Sequence, residues 1–468
     1  ESRLLAESQE AGDSAWERVS RKRNRRSLSG PKEVFYDWSV DITLSFASRS
    51  ATSYYAGNHQ ERRLRGRGVI IMKSSRRSFL KAVSALPALR WGSSAFANAA
   101  AGDSSFDPWV EIHGDNLRHN VREIHRRVGS RPILAVIKNN GYGMGIVNVA
   151  RLLEPMEAIA GLAVIKLQEA ITLRDAGIRK PILLMGPFDE DDLVEVVTRG
   201  IMPMVYTPIG PTLDRISAKL QKPIPLHICV DTGIGRVGVP YTEAASLMRD
   251  LASRKSVRIQ GTMMTFTEDP EFDKEQLKRF QDLCRSVERE GIDLGKKHAA
   301  SSFGLFQHPD AFLDMVRPGM AIYGIYPEKE FHGAGIMDLR PALGLKARVI
   351  YVKQLHKGDS AGYNCAYVAE KDVWVATLPV GHADGLPRAA AKGARVRIGE
   401  ELYPIIASVS ASHCIVEVGA EPRVKLGDEA TFFDWREGSR PEDVAAACGS
   451  SVYDLTMHLN PLLPRRMV

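Results

Sequence analysis

From about residue 130 the chain alternates short apolar runs with amphipathic stretches, and this alternation limits its fold more than any other feature. The runs are "ILAVIK", "IAGLAV", "PILLMG", "MPMVYT", "PLHICVD", "IQGTMMTF", "KKHAASS" and "DMVRPGMAIYG". Between them lie "KLQEAITLRDAG", "DEDDLVEVVTRG", "TEAASLMRDLASRK" and "DKEQLKRFQDLCRSVEREG". Their apolar residues recur at i, i+3, i+4 and i+7, as one buried face of a helix requires. Strand and helix alternating about eight times in roughly 220 residues predict a (β/α)8 barrel of the TIM type. A doubly wound open sheet would more often carry a G-x-G-x-x-G turn after its first strand, and "NNGYGMG" is not that turn. After about residue 345 the texture changes to β-branched runs punctuated by Gly, Asp and Pro, among them "LKARVIYVKQL", "WVATLPVG" and "DEATFF". These predict a separate, mostly β domain. The expected division is a barrel over 108–345 followed by a β-rich C-terminal domain over 346–468.

Composition is that of an ordinary globular protein, with 44% hydrophobic and 25% charged residues. The net charge of +7 sits at one end. Residues 1–102 carry 18 Lys and Arg against 9 Asp and Glu, and the remainder carries 45 against 47. The folded part therefore lacks the basic footprint of a nucleic-acid-binding protein. The five cysteines are odd in number and lack metal-ligand spacing, which argues against a disulfide framework and against a metal site. "MKSSRRSFLKAVSALPALRWGSSAFANAAAG" begins at Met72 and reads as an export signal over 72–99. Arg76 and Arg77 fit a twin-arginine consensus, and "AFA" and "ANA" offer cleavage sites. Pro87 and Arg90 interrupt its apolar stretch, so it is no spanning helix. A periplasmic protein with no membrane span after signal removal is expected. Residues 1–71 hold "RKRNRR" and "ERRLRGRG" without apolar periodicity and read as a disordered arm or an over-extended gene start.

Barrel enzymes build their sites at the C-terminal ends of the strands. The first predicted strand ends on Lys138, with Tyr142 just beyond. The fifth ends in "VDTGIGRVG" with Arg236, the sixth near Thr265, the seventh in "HAASS" with Ser301 and Ser302, and the eighth in "VRPGM" with Arg317 and Gly319. Serines and glycine-rich backbone suit a phosphate. A lysine ending a buried strand is desolvated, which lowers its pKa toward an amine able to form a Schiff base. Phosphate plus Schiff base points to pyridoxal 5′-phosphate. Singly, each residue has a plainer reading: a snorkelling or ion-paired lysine, turn serines, an arginine paired with a carboxylate. Their convergence on one rim favours a site.

"AVIKNNGYGMG", "VDTGIGRVG", "HAASS" and "VRPGMAIYG" resemble, in order, four motifs of the alanine racemase family, and "AGYNCAYVAEKDVWVATLPVGHADGLPR" resembles its C-terminal block. The resemblance runs from about Trp109 to Arg465. It implies a pyridoxal-phosphate racemase interconverting L- and D-alanine, and so a role in D-alanine biosynthesis. Lys138 would hold the cofactor and act as one base. Tyr363 would be the opposite base, lent by the partner subunit of a homodimer. Arg236 would lie near the substrate carboxylate and the Tyr363 phenol. Tyr142, Ser302 and the backbone of Gly319 and Met320 would hold the phosphate. Arg317 would face the pyridine nitrogen, braced by His298.

Several positions depart from the family pattern. Thr265 replaces a histidine packed on the cofactor ring, and Met144 a histidine of the lysine motif. Ala411 and Ser412 replace a Met-Asp pair near the substrate carboxylate, His382 a tyrosine of the substrate entrance, and Pro461 a further entrance tyrosine that contacts the phosphate. Substrate preference is thus more open than reaction type, and a broad-specificity periplasmic amino-acid racemase is the alternative. A non-catalytic carrier of pyridoxal phosphate is the alternative of another class. Such carriers lack the β domain that bears Tyr363.

Overall fold

The computed structural model describes residues 106–468; the basic extension and the export-signal reading lie outside the described residues. Strand β1 (Trp109–Ile112) is followed by β2 (Ile133–Val136), β3 (Ile159–Val164), β4 (Ile182–Leu184), β5 (Ile201–Val205), β6 (Ile224–Asp231), the two-residue β7 (Val239–Pro240), β8 (Val257–Met263) and β9 (Lys296–His298). Seven of these form a parallel sheet in the order β2-β3-β4-β5-β6-β8-β9, with β7 paired to β6. Most of their side chains are buried on both faces, as in a parallel sheet wrapped by helices.

The ring closes through residues 316–318. Val316 bridges Ile133, and Leu134 and Val136 donate their N–H groups to the carbonyls of Val316 and Pro318, both at 2.9 Å. On the other side Arg317 N donates to Ala300 O at 2.8 Å. The eighth run, expected as a strand through "DMVRPGMAIYG", is corrected to the short closing segment 316–318. Pro318 has no N–H to extend a ladder, and a 3-10 turn, Met320–Tyr323, follows at once.

The helices fall where the periodicity places them: Leu167–Asp175, Glu190–Thr198, Ala244–Ser253 and Pro270–Glu288. Local chemistry starts two of them. The Asp189 carboxylate accepts from Asp192 N at 2.8 Å, and Asp269 accepts from Phe272 N at 2.8 Å with Pro270 in the first turn. Such caps contribute about 1 kcal/mol each.

The β-rich domain contains β10 (Leu343–Arg348), β11 (Tyr351–Leu355), β12 (Ser360–Ala361), β13 (Tyr367–Val368), β14 (Val373–Leu378), β15 (Arg395–Ile398), β16 (Glu401–Ile406), β17 (Cys414–Gly419), β18 (Glu429–Phe433) and β19 (Arg465–Met467). Its main sheet runs β11-β14-β17-β16-β15-β18-β10-β1-β19. The expected domain boundary at residue 108 therefore shifts, because β1 belongs to this sheet. It pairs antiparallel with β10, Trp109 opposite Lys346, and parallel with β19. Two unexpected short helices, Pro441–Ala447 and Val452–Met457, bring the chain back to the barrel rim. Among the described residues no helix is long and apolar enough to cross a membrane.

Candidate active site

Lys138 lies two residues beyond β2, where the chain turns as few sequences can. Asn139, Asn140, Gly141 and Tyr142 have φ of 53°, 57°, 60° and 52°, four successive residues in the left-handed region. That region costs an ordinary L residue about 1–2 kcal/mol, and Asn and Gly visit it most readily. This is the physical reason for "NNG" after the lysine. Contacts hold the strained turn. Asn140 N donates to Glu169 Oε1 at 2.9 Å, and Asn140 Oδ1 accepts from Ile146 N at 3.1 Å. The same Glu169 carboxylate accepts from Lys166 N at 3.2 Å, pinning the lysine turn to the next βα loop. From the far end of the chain, Asn139 Nδ2 reaches Met457 Sδ at 3.1 Å, and the Arg465 guanidinium donates to Gly143 O at 3.0 and 3.1 Å.

The Lys138 amine is pushed below its ordinary pKa by burial and by the positive charges of Arg236 and Arg317, with Glu169 opposing. A strand end that looked anomalous for an ammonium thus holds an amine biased toward its neutral, nucleophilic form. Arg236 stands exposed on a loop organised by Asp231, whose Oδ1 accepts from Gly233 N at 2.8 Å and Gly235 N at 3.2 Å. Arg317 is buried and held through both Nη groups. Its Nη2 donates to Met264 O at 2.8 Å and Thr265 Oγ1 at 3.3 Å, and its Nη1 meets His298 Nδ1 at 2.8 Å. Burial lowers its pKa to about 10, so it stays charged at neutral pH.

Hydroxyls and backbone amides gather around Ser301, Ser302 and Gly319. Ser302 Oγ accepts from Gly319 N at 3.0 Å and Ala321 N at 3.1 Å, which leaves its own proton free to be donated. The Gly319 amide, expected to face a phosphate directly, is thus turned to Ser302, while Met320 opens the following 3-10 turn. Ser301 Oγ is buried, makes no hydrogen bond of good geometry and has the Glu268 carboxylate beside it. A Cβ at Gly319 would stand 2.1 Å from the Tyr142 hydroxyl, so only glycine fits. Tyr142 is buried and stacks on Tyr323 with centroids 4.4 Å apart. Two buried hydroxyls, Ser301 and Ser302, and a glycine-only approach fit the phosphate end of pyridoxal phosphate.

Tyr363, His382 and Ser412 are elsewhere, together on the β-rich domain. Tyr363 follows β12 and is 75% exposed. Its loop packs on Ala407 and Ser408, which a Cβ at Gly362 would approach to 2.8 and 3.0 Å. His382 N donates to Ser410 O at 2.9 Å, and His382 Nε2 meets Arg388 Nη2 at 2.8 Å. Ser412 is exposed in the neighbouring turn. The described residues therefore divide into a barrel-rim group around Lys138 and an exposed β-domain group around Tyr363.

Sequence reasoning missed Glu169, His227 and Tyr453. Tyr453 lies on helix Val452–Met457, its ring 5.9 Å from Lys138 Nζ and 6.0 Å from the Tyr142 ring. The Ser451 cap, accepting from Asp454 N at 3.1 Å, was legible as S-x-x-D; its return to the lysine turn was not. His227 lies under Arg317, against His298. No group of His, Cys, Asp and Glu among the described residues is arranged to hold a metal ion.

Comparison with known proteins agrees with this arrangement. The family profile described as alanine racemase, N-terminal domain, matches residues 112–327, and that described as alanine racemase, C-terminal domain, matches residues 342–467. An alanine racemase of Treponema denticola is 33% identical over 368 residues, 76% of this chain and 96% of the relative. One of Desulforamulus reducens is 34% identical over 365 residues, covering 76% and 98%. The solved alanine racemase of Clostridium difficile superposes with a TM-score of 0.74 at 28% identity, covering 78% of this chain and 96% of that one. With both domains matched in order and the barrel-rim group in place, the chain belongs to the alanine racemase family of amino-acid isomerases.

Proposed function

We propose that this protein is a pyridoxal-5′-phosphate-dependent racemase that interconverts L- and D-alanine as a homodimer. The carrying observation is the desolvated Lys138 amine, set on a strained turn near Arg236 and Arg317 and beside the glycine-only contact of Gly319 with Tyr142. Lys138 would hold the cofactor, with Tyr142, Ser301 and Ser302 at its phosphate and Arg317 at its ring nitrogen. When bound, the cofactor supplies an electron sink for the charge left at Cα when its proton is removed.

The residues of the chain supply the proton transfers. Racemisation needs a base on each face of Cα. Lys138 Nζ serves one face, and Tyr363 Oη, exposed on the β domain, serves the other from a second copy of the chain. An ordinary tyrosine with a pKa of about 10 is a poor base near neutrality. Arg236, the exposed cation of the rim, would draw the phenol toward its ionised form. The permanent charge of Arg317 disfavours a proton on the ring nitrogen, which limits side reactions.

Two variants test this. Lys138→Ala should abolish covalent cofactor binding, read as loss of the visible absorption of the protein. Tyr363→Phe should keep that absorption and lose alanine interconversion by about 10³-fold or more; full activity in Tyr363→Phe would overturn the two-base reading. A broader substrate range is the second reading, favoured by the small, exposed Ala411 and Ser412; Tyr453, beside Lys138 and Tyr142, supplies a tyrosine at the site that the sequence reading expected to be missing at Pro461. Rates with alanine, serine, lysine and arginine, compared side by side, decide between the two. Export to the periplasm through the twin-arginine pair is likewise proposed; Arg76→Lys with Arg77→Lys should retain the enzyme in the cytoplasm, as fractionation would measure.

A further inference from the structure

Beneath Arg317 lies a second histidine with no role in the site as described so far. Arg317 Nη1 is 2.8 Å from His298 Nδ1, and His298 Nε2 is 3.0 Å from His227 Nδ1. A guanidinium only donates, so His298 Nδ1 must accept, and the ring proton of His298 sits on Nε2. That proton is donated to His227 Nδ1, which leaves His227 with its own proton on Nε2. One permanent charge thereby dictates the tautomers of two rings in series.

The rest of the packing is consistent with this order. The rings are buried, at 0% and 4% exposure, and meet edge to face with centroids 5.2 Å apart. His227 has room only because residue 261 is glycine, where a Cβ would stand 2.7 Å from its ring. Protonating either ring would set N–H against N–H. Burial, and then the Arg317 charge, hold both imidazoles below their ordinary pKa, His227 at about 4. The charged and titratable groups that act on the two rings are Arg317 and the rings themselves; Cys229 and Arg236 act on Arg317 in turn.

We propose that His227 is a positioning residue: as the terminal acceptor of the chain, it locks His298 in the one tautomer that can receive Arg317, and so fixes the guanidinium at the cofactor ring. The catalytic consequence rests on the cofactor reading above, whereas the tautomers do not.

The test combines histidine-selective ¹⁵N NMR of the holoenzyme with kinetics of His227→Leu, His227→Asn and His227→Gln. Asn places an acceptor where Nδ1 stands; Gln, one carbon longer, does not. In the parent, both rings should be neutral Nε2–H tautomers between about pH 6 and 8. His227→Leu and His227→Gln should lower kcat about tenfold with little change in KM, shift the acid limb of the kcat profile and move the visible absorption band. His227→Asn should restore most of each. Should His227→Leu fail to fold, the contrast between Asn and Gln decides. The proposal is overturned by an Nδ1–H tautomer at His298 in the parent, or by Asn and Gln variants that behave alike. A parent that binds no pyridoxal phosphate would instead sink the cofactor reading and leave the tautomer result standing.

Discussion

At Gly319 one absent carbon shapes the site, since a Cβ there would stand 2.1 Å from the Tyr142 hydroxyl. Tyr142 cannot retreat, because Tyr323 stacks behind it and its backbone is already left-handed. Gly319→Ala should therefore fold but weaken cofactor binding by about 10- to 100-fold, the worth of one or two charge-assisted hydrogen bonds to a phosphate. Titration of the apoprotein with pyridoxal phosphate measures this, and parent affinity would show that the phosphate site lies elsewhere. Lys138, Tyr142, Arg317 and Gly319 were legible in the sequence because each sits in a short local pattern with its own backbone demand. Tyr453 and His227 were not. Tyr453 acts through a helix that returns from the far end of the chain, and His227 looks like any residue of a buried strand until Arg317 gives it a direction.

Among the elements, β1 is the one whose placement the sequence concealed. Four buried residues in a row, "WVEI", suit a barrel strand as well as a β-domain strand. Glu111 decides the matter by its partners: Lys346 Nζ at 2.9 Å across the β1–β10 pair, and His113 at 3.5 Å. Burial alone would raise the Glu111 carboxyl, but His113 and Lys346 outweigh it and hold the pKa at about 2, against an ordinary 4.5. A folded pKa below the unfolded one stabilises the fold at pH above 4.5, and the gain is lost as pH falls toward about 2. Glu111→Gln should cost ~1–2 kcal/mol at neutral pH, allowing for solvent screening of the pair. Urea unfolding at pH 7 and pH 3 checks it; a cost that does not shrink at pH 3 would rule out the charge as its source. The long helices were legible from their period. The eighth barrel strand was over-read because "DMVRPGMAIYG" is apolar enough for a strand, although Pro318 and the turn after Gly319 cut it to residues 316–318.

For the whole molecule, the separation of the Lys138 group from the exposed Tyr363 group gives the proposed dimer a quantitative signature. If each site takes Lys138 from one subunit and Tyr363 from the other, mixing inactive Lys138→Ala and Tyr363→Phe subunits should rebuild one intact site per hybrid dimer. Random exchange in a two-fold assembly should then recover about a quarter of parental activity; no recovery after verified exchange would place both groups in one subunit's site. The sequence could reach the proposed sharing of a site only through its resemblance to a family, since nothing local sets Tyr363 apart from any exposed loop tyrosine. The lysine turn also has a dependence on the order of synthesis. Its outer wall is made by Tyr453, Met457 and Arg465, all translated after the barrel and nearly all of the β sheet. A chain emerged only to residue 450 would leave the amine unwalled on this side, so capture of the proposed coenzyme should wait for this last segment.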